Sequence, residues 1–168
     1  MIEQIKQLLD GSRIKEIYLV WVMDTEAGLL EFYPDLRFLY LEFATGIIEC
    51  RSVEQYSRLK LSLVDSVRYD FEIDEDMFRA TSRAGELILD NPDLLTNEIT
   101  SLTFYDVKES EKEVHCLALE MQLKSGQFIF IDPTFLHGIG IGGYNQKKLW
   151  RENLPEGLEV KAKRVALS

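Results

Sequence analysis

VHCLALEMQLKSGQFIFID, Val114 to Asp132, decides how the rest of the chain is read. Leu117, Leu119, Met121 and Leu123 recur at every second position, which is the period of a half-buried strand. Lys124-Ser125-Gly126-Gln127 is a turn signal, and FIFID returns at once as a second strand. A turn this short joins antiparallel neighbours only. Upstream, SLTFYDV (Ser101–Val107) sets Leu102 and Phe104 against Thr103 and Tyr105 and supplies a third strand. The polar run Lys108–Glu113 between them is a solvated loop tip.

Working outward to the N-terminus, IEQIKQLLD places Ile2, Ile5, Leu8 and Leu9 on one helical face, and Gly11 supplies a stop. RIKEIYLVWVM is apolar on both faces and predicts a central strand covered on both sides. Asp24–Pro34 reads as a loop. LRFLYLEF and GIIECRSV follow as a hairpin turned at Ala44-Thr45-Gly46, and strand character continues through LKLSLVDSVRYDFEI. Glu75–Leu89 fits either a helix or a strand with a turn near Gly85. Asn91-Pro92-Asp93 is a break.

Working outward to the C-terminus, Gly138, Gly140 and Gly143 spell G-x-G-x-x-G. A dinucleotide loop needs a βαβ setting and an acid about 20 residues on. Here the upstream chain is antiparallel and the room for a return strand is slight. Gly138, Gly140 and Gly142 alternate with Ile139 and Ile141, which predicts a strand with one bare and one apolar face, open to close packing. A short helix follows from Gln146 to Glu152. If Lys147, Lys148 and Arg151 share its exposed side, Leu149 and Trp150 cover the sheet as a lid; an aromatic contact for a partner or for self-association is the alternative for Trp150. The expected fold is a single α+β domain over residues 1–168. It is a mainly antiparallel twisted β-sheet meander with an N-terminal helix and one or two further short helices, ending in a flexible basic tail over 155–168.

Net charge is −10, and Asp65–Glu98 carries ten acids against three arginines. That field repels nucleic acid and anionic lipid and attracts cationic proteins. No basic stripe is present, and no apolar run approaches the ~18 residues of a membrane span. The expected partner is therefore a basic protein, with no nucleic acid and no membrane. Two cysteines, Cys50 and Cys116, are too few for a disulfide framework. The first residues lack a secretory pattern, and a cytoplasmic location is expected.

Candidate chemistry is sparse. His115 and Cys116 are adjacent on a strand and point to opposite faces. Cys116 with His137 and Asp132 stays open as a thiol set, but no spacing requires it. Counting from Asp70, the sixth and twelfth positions are Glu75 and Thr81, so a calcium loop fails. No catalytic set, metal site or cofactor is expected. The candidate partner-binding residues are Asp70, Glu72, Asp74, Glu75 and Asp76, with Tyr69, Phe71, Met77 and Phe78 among them as apolar anchors. Ordinary core is the competing reading for those last four.

LALEMQLKSGQFIFIDPTF (Leu117–Phe135) and GIGIGGYNQ (Gly138–Gln146), in a small acidic chain, resemble the bacterial immunity proteins of polymorphic and contact-dependent toxin systems, and proteins found in their company. The resemblance covers about the last third of the chain. It implies a cytosolic protein that binds one cognate toxin domain, often a nuclease, and blocks it. It carries over no individual residue. A self-associating domain, as a homodimer, and a small enzyme with an unrecognised site are the alternatives.

Overall fold

The structure is a computed structural model and describes residues 1–25, 30–69, 72–90, 96–135 and 138–167. Its elements are α1 (Ile2–Leu9), β1 (Glu16–Asp24), β2 (Glu31–Phe43), β3 (Gly46–Val53), β4 (Arg58–Val64), β5 (Met77–Arg83) and α2 (Gly85–Ile88). They continue as β6 (Ile99–Tyr105), β7 (Lys108–Glu109), β8 (Val114–Cys116), β9 (Ala118–Leu123), β10 (Phe128–Phe135), β11 (Gly138–Gly142), α3 (Tyr144–Glu152) and β12 (Ala162–Ala166). This is the expected α+β architecture, with an N-terminal helix and two further short ones.

The strands form two sheets. One runs β5-β1-β2-β3-β4-β8-β7, the other β11-β10-β9-β6-β12. Both bury one face in a shared core. Ile17, Leu39, Leu41, Ile48, Cys50, Leu59 and Leu61 come from the larger sheet. Leu102, Phe104, Leu119, Met121, Ile129 and Ile131 come from the smaller. Helix α1 adds Ile2, Ile5 and Leu9, whose three-then-four spacing gives one apolar stripe. Burying each of those three side chains is worth roughly 1.5–3 kcal/mol. Gly11, at φ +64, then turns the chain away in a conformation that costs glycine nothing.

The stretch that sets the fold is subtler than its pattern. Between Cys116 and Ala118 the chain leaves one sheet and enters the other. Leu117 sits at that corner. Its N–H donates to Tyr105 O at 2.8 Å. Its side chain packs with the outer-face cluster of Tyr105, Phe128, Phe130 and Trp150, not with Leu119 in the core. The single expected strand is therefore two, β8 and β9, and its corner links the sheets.

Four other expectations are corrected. Strand β2 starts at Glu31, inside the expected loop, because Glu31 to Pro34 pair with β1. Strand β1 lies between β2 and β5, but is well buried only at Ile17 and Val20; from Trp21 on it is half-buried. Strand β4 ends at Val64, so VDSVRYDFEI does not continue it. The segment expected as a tail includes β12, which pairs with β6 from Ala162↔Tyr105 to Ala166↔Ser101. The ambiguous Glu75–Leu89 stretch is a turn, β5 and the four-residue α2. Asn91-Pro92-Asp93 lies outside the described residues.

The glycine stretch forms β11, as its alternation predicts. Ile139 and Ile141 face the core, and Gly140 and Gly142 face α3. A Cβ on Gly140 would lie 2.5 Å from Gln146 Nε2. That same nitrogen donates to Asp132 Oδ2 at 2.6 Å. Trp150 closes the helix onto the sheet, with its ring centroid 5.0 Å from Tyr105 and 5.2 Å from Phe130. The glycines make room for a helix.

Candidate functional site

Strands β1 and β2 pair regularly from Glu16↔Glu42 to Leu19↔Leu39, and again from Trp21↔Pro34 to Asp24↔Glu31. Between those blocks β1 spends one residue, Val20, and β2 spends four, Asp35–Phe38. The extra residues bulge out of the ladder. A proline in the ladder, Pro34, marks the departure. Asp35 holds the bulge locally. Its Oδ1 accepts from Arg37 Nε at 2.8 Å and its Oδ2 from Arg37 Nη2 at 2.7 Å. That bidentate bond, with the nearby Asp35 charge, pushes the Arg37 guanidinium further up from its already high value. The bulge can lie against β11 because residue 138 is glycine: a Cβ there would strike the Leu36 carbonyl.

The bulge forms one wall of an open cleft of about 870 Å³. Val22, Met77 and Arg79 of β1 and β5 line it, together with Tyr33 and Pro34 of β2. The segment Glu72-Ile73-Asp74 forms the facing rim. Tyr56 enters from the β3–β4 turn. That turn is strained: Glu54, Gln55 and Tyr56 all have positive φ, at 51, 57 and 64°. Each left-handed non-glycine residue costs about 1–2 kcal/mol. Such outliers gather at binding and switch regions.

Tyr33 and Tyr56 are 48% and 41% exposed, so both rings reach solvent. Glu31 accepts the Tyr33 hydroxyl bond, which with its charge raises the Tyr33 phenol above its ordinary value. Glu72 and Asp74 are exposed, and neither has an ion pair to another described residue. The lining sets Asp35, Glu72 and Asp74 against Arg37 and Arg79, with Asp35 spent on Arg37, and adds two tyrosine rings and the apolar Val22, Pro34, Ile73 and Met77. Glu72 and Asp74 at the rim are the groups that suit a cationic side chain.

The sequence-derived partner residues divide. Glu72, Asp74 and Met77 meet in the cleft. Glu75 and Asp76 form the exposed turn into β5 and do not line it. Phe78 is 54% exposed and, by strand alternation, faces away from Met77, in a row with Met23 and Phe32. Tyr69 is core. It packs with Val20, Phe38 and Tyr40 and donates its hydroxyl to Ala80 O at 2.8 Å. Asp70 and Phe71 lie outside the described residues. Two further acids of the segment lie elsewhere: Glu86 is on α2, and Glu98 pairs with Lys124 at 3.0 Å beside the smaller sheet. Sequence reasoning missed Tyr33, Pro34, Asp35 and Tyr56; the one available signal was a proline opening an otherwise apolar strand.

The other candidate chemistry resolves into structure. Cys50 and Cys116 are buried free thiols, and burial pushes Cys116 up to about 12 and Cys50 well above its ordinary value. Thiols held neutral in this way are poor nucleophiles. His115 Nε2 lies 2.8 Å from Glu113 Oε1 on the surface, and His137 is outside the described residues. Glu120 Oε2 accepts from Tyr105 Oη and Lys147 Nζ, each at 2.6 Å, and so fastens α3 to the sheet. Among the described residues no group of three or more His, Cys, Asp and Glu side chains is placed to hold a metal ion.

Comparison with protein-family models, with curated proteins and with solved structures finds no match to this chain.

Proposed function

We propose that this is a binding protein for a basic protein partner, acting as an immunity-type inhibitor that masks a cognate toxin. What supports the reading is the cleft, where Glu72 and Asp74 stand without an ion pair to another described residue, beside Tyr33 and Tyr56. A lysine or arginine of the partner enters between the carboxylates and lies over a tyrosine ring. The net charge of −10 speeds its approach. The resemblance of Leu117–Phe135 and Gly138–Gln146 to immunity proteins implies a toxin domain as the partner, often a nuclease.

The test compares immobilised wild type with the double variant Glu72→Lys and Asp74→Lys. Both are challenged with lysate of the source cells at low salt, then washed at high salt. The reading expects a basic protein held by the wild type, released by salt and missing from the variant. Identical retention on the two supports sinks it. Inhibition of the retained protein's nuclease activity by the wild type alone separates masking from simple binding.

A further inference from the structure

We propose that the protein forms a homodimer in which the β5 edges of two copies pair antiparallel about a two-fold axis. Among the described residues strand β5 pairs with one strand, β1, through an unbroken register from Tyr18↔Arg83 to Asp24↔Met77. Its other side is a seven-residue edge with no proline and no bulge. Such an edge is a template for another strand. The other three edges are poorer. Strand β7 has two residues, β12 has five, and the β10–β11 ladder has a register break. Tyr69 fixes the middle of β5 through its bond to Ala80 O.

What selects a second copy is charge. Arg83, at the C-terminal end of β5, is exposed and has no ion pair to another described residue. Glu75 and Asp76, just before its N-terminal end, are exposed and equally unpaired. An antiparallel two-fold brings opposite ends together. With Ala80 on the axis, Arg79 faces Thr81 of the second copy, and Arg83 faces its Met77, one residue from its Asp76. The symmetry makes each such contact twice. Phe78 gains Ala80 and Ser82 of the second copy as neighbours on its own face, which covers part of an exposed ring. The seam runs along one side of the cleft, since Met77 and Arg79 belong to both, while Glu72 and Asp74 on the rim stay outside the pairing.

Edge pairing buries little area, so the dimer is weak, with a dissociation constant in the micromolar range. Sedimentation velocity from about 1 to about 500 µM protein at low salt reads it directly. The expected result is a concentration-dependent dimer whose dissociation constant rises at least about tenfold in Arg83→Glu and in Asp76→Arg. The two substitutions together restore it to within about threefold of wild type. Circular dichroism melts establish that each variant is folded. A monomer at every concentration overturns the proposal. So does a dimer indifferent to Arg83→Glu, or a double variant as weak as the single ones.

Discussion

Arg58 and Asp106 tie the two sheets together. Arg58 opens β4 in the larger sheet, and Asp106 follows β6 in the smaller. Arg58 Nη2 donates to Asp106 Oδ2 at 2.7 Å, and Nη1 to the Asp106 carbonyl oxygen at 3.1 Å. The Arg58 side chain is only 13% exposed, which strengthens the bond relative to a surface pair. Asp106 sits at φ 47, a conformation aspartate tolerates better than most residues. Arg58→Ala is expected to lower stability by about 1–3 kcal/mol, read as a fall in the urea midpoint at constant slope. Asp106→Asn keeps the backbone acceptor and is expected to cost less. A midpoint for Arg58→Ala equal to that of an exposed control, Lys148→Ala, would refute this.

Two glycines with positive φ make a matched pair. Gly138, at φ +146, abuts the Leu36 backbone, whereas Gly126, at φ +90, has open space around it. Gly126→Ala meets backbone strain alone, about 1–2 kcal/mol. Gly138→Ala meets that strain and a collision with main chain that cannot rotate away, and is expected to cost at least about 1 kcal/mol more. Thermal melts of the two variants decide it. Because the bulge that rests on Gly138 is a wall of the cleft, Gly138→Ala also displaces Asp35–Arg37 and weakens partner capture. Gly126→Ala leaves capture unchanged.

Alkaline pH should unfold the protein earlier than its acidic surface suggests. Burial raises Cys116 from 9.0 to about 12 and also raises Cys50. Burial and the hydrogen bond to Glu49 raise Tyr40. In each case the folded value exceeds the unfolded one, so folding favours the protonated form. The stabilisation is complete below the unfolded value and is lost as pH climbs toward the folded one. Above pH 9 each buried thiol adds a slope of up to about 1.4 kcal/mol per pH unit. Urea midpoints between about pH 8 and about pH 10.5 should fall steeply, and less steeply in Cys116→Ala. Parallel slopes for wild type and variant would exclude Cys116 as a contributor.

Strands β6, β9, β10 and β11 of the smaller sheet were legible because their alternation is strict, whereas β12 was read as a tail. Leu102 and Phe104, Leu119 and Met121, Ile129 and Ile131 all face the core as their period predicts. The corner at Leu117 was not legible, because an apolar residue satisfies the period whichever cluster it joins. Glu31–Pro34 read as loop because Glu31 and Pro34 are poor strand formers, yet pairing with Trp21–Asp24 outweighs that preference. The acidic segment announced itself as charge, and Glu72 and Asp74 do reach a cleft. Tyr33 and Tyr56, more than 20 residues apart in sequence, share it only because a four-residue bulge and a left-handed turn converge. Pro34 is the one trace the bulge leaves in the sequence, and the left-handed turn leaves no glycine to announce it. For Tyr69 the competing reading, ordinary core, is the one the structure has, since its neighbours in the chain are not its neighbours in space.

Strand β12 adds a consequence for the order in which the chain assembles. It pairs with β6, some 60 residues upstream, and leaves the ribosome after the other described strands. Until it emerges, β6 has β9 on one side and an open ladder on the other. A growing chain with an unpaired edge is exposed to its neighbours on the same message. The charges of Lys163 and Arg164, with Lys161 just before the strand, suit a segment that must stay dissolved while waiting, then cover β6 in a late step.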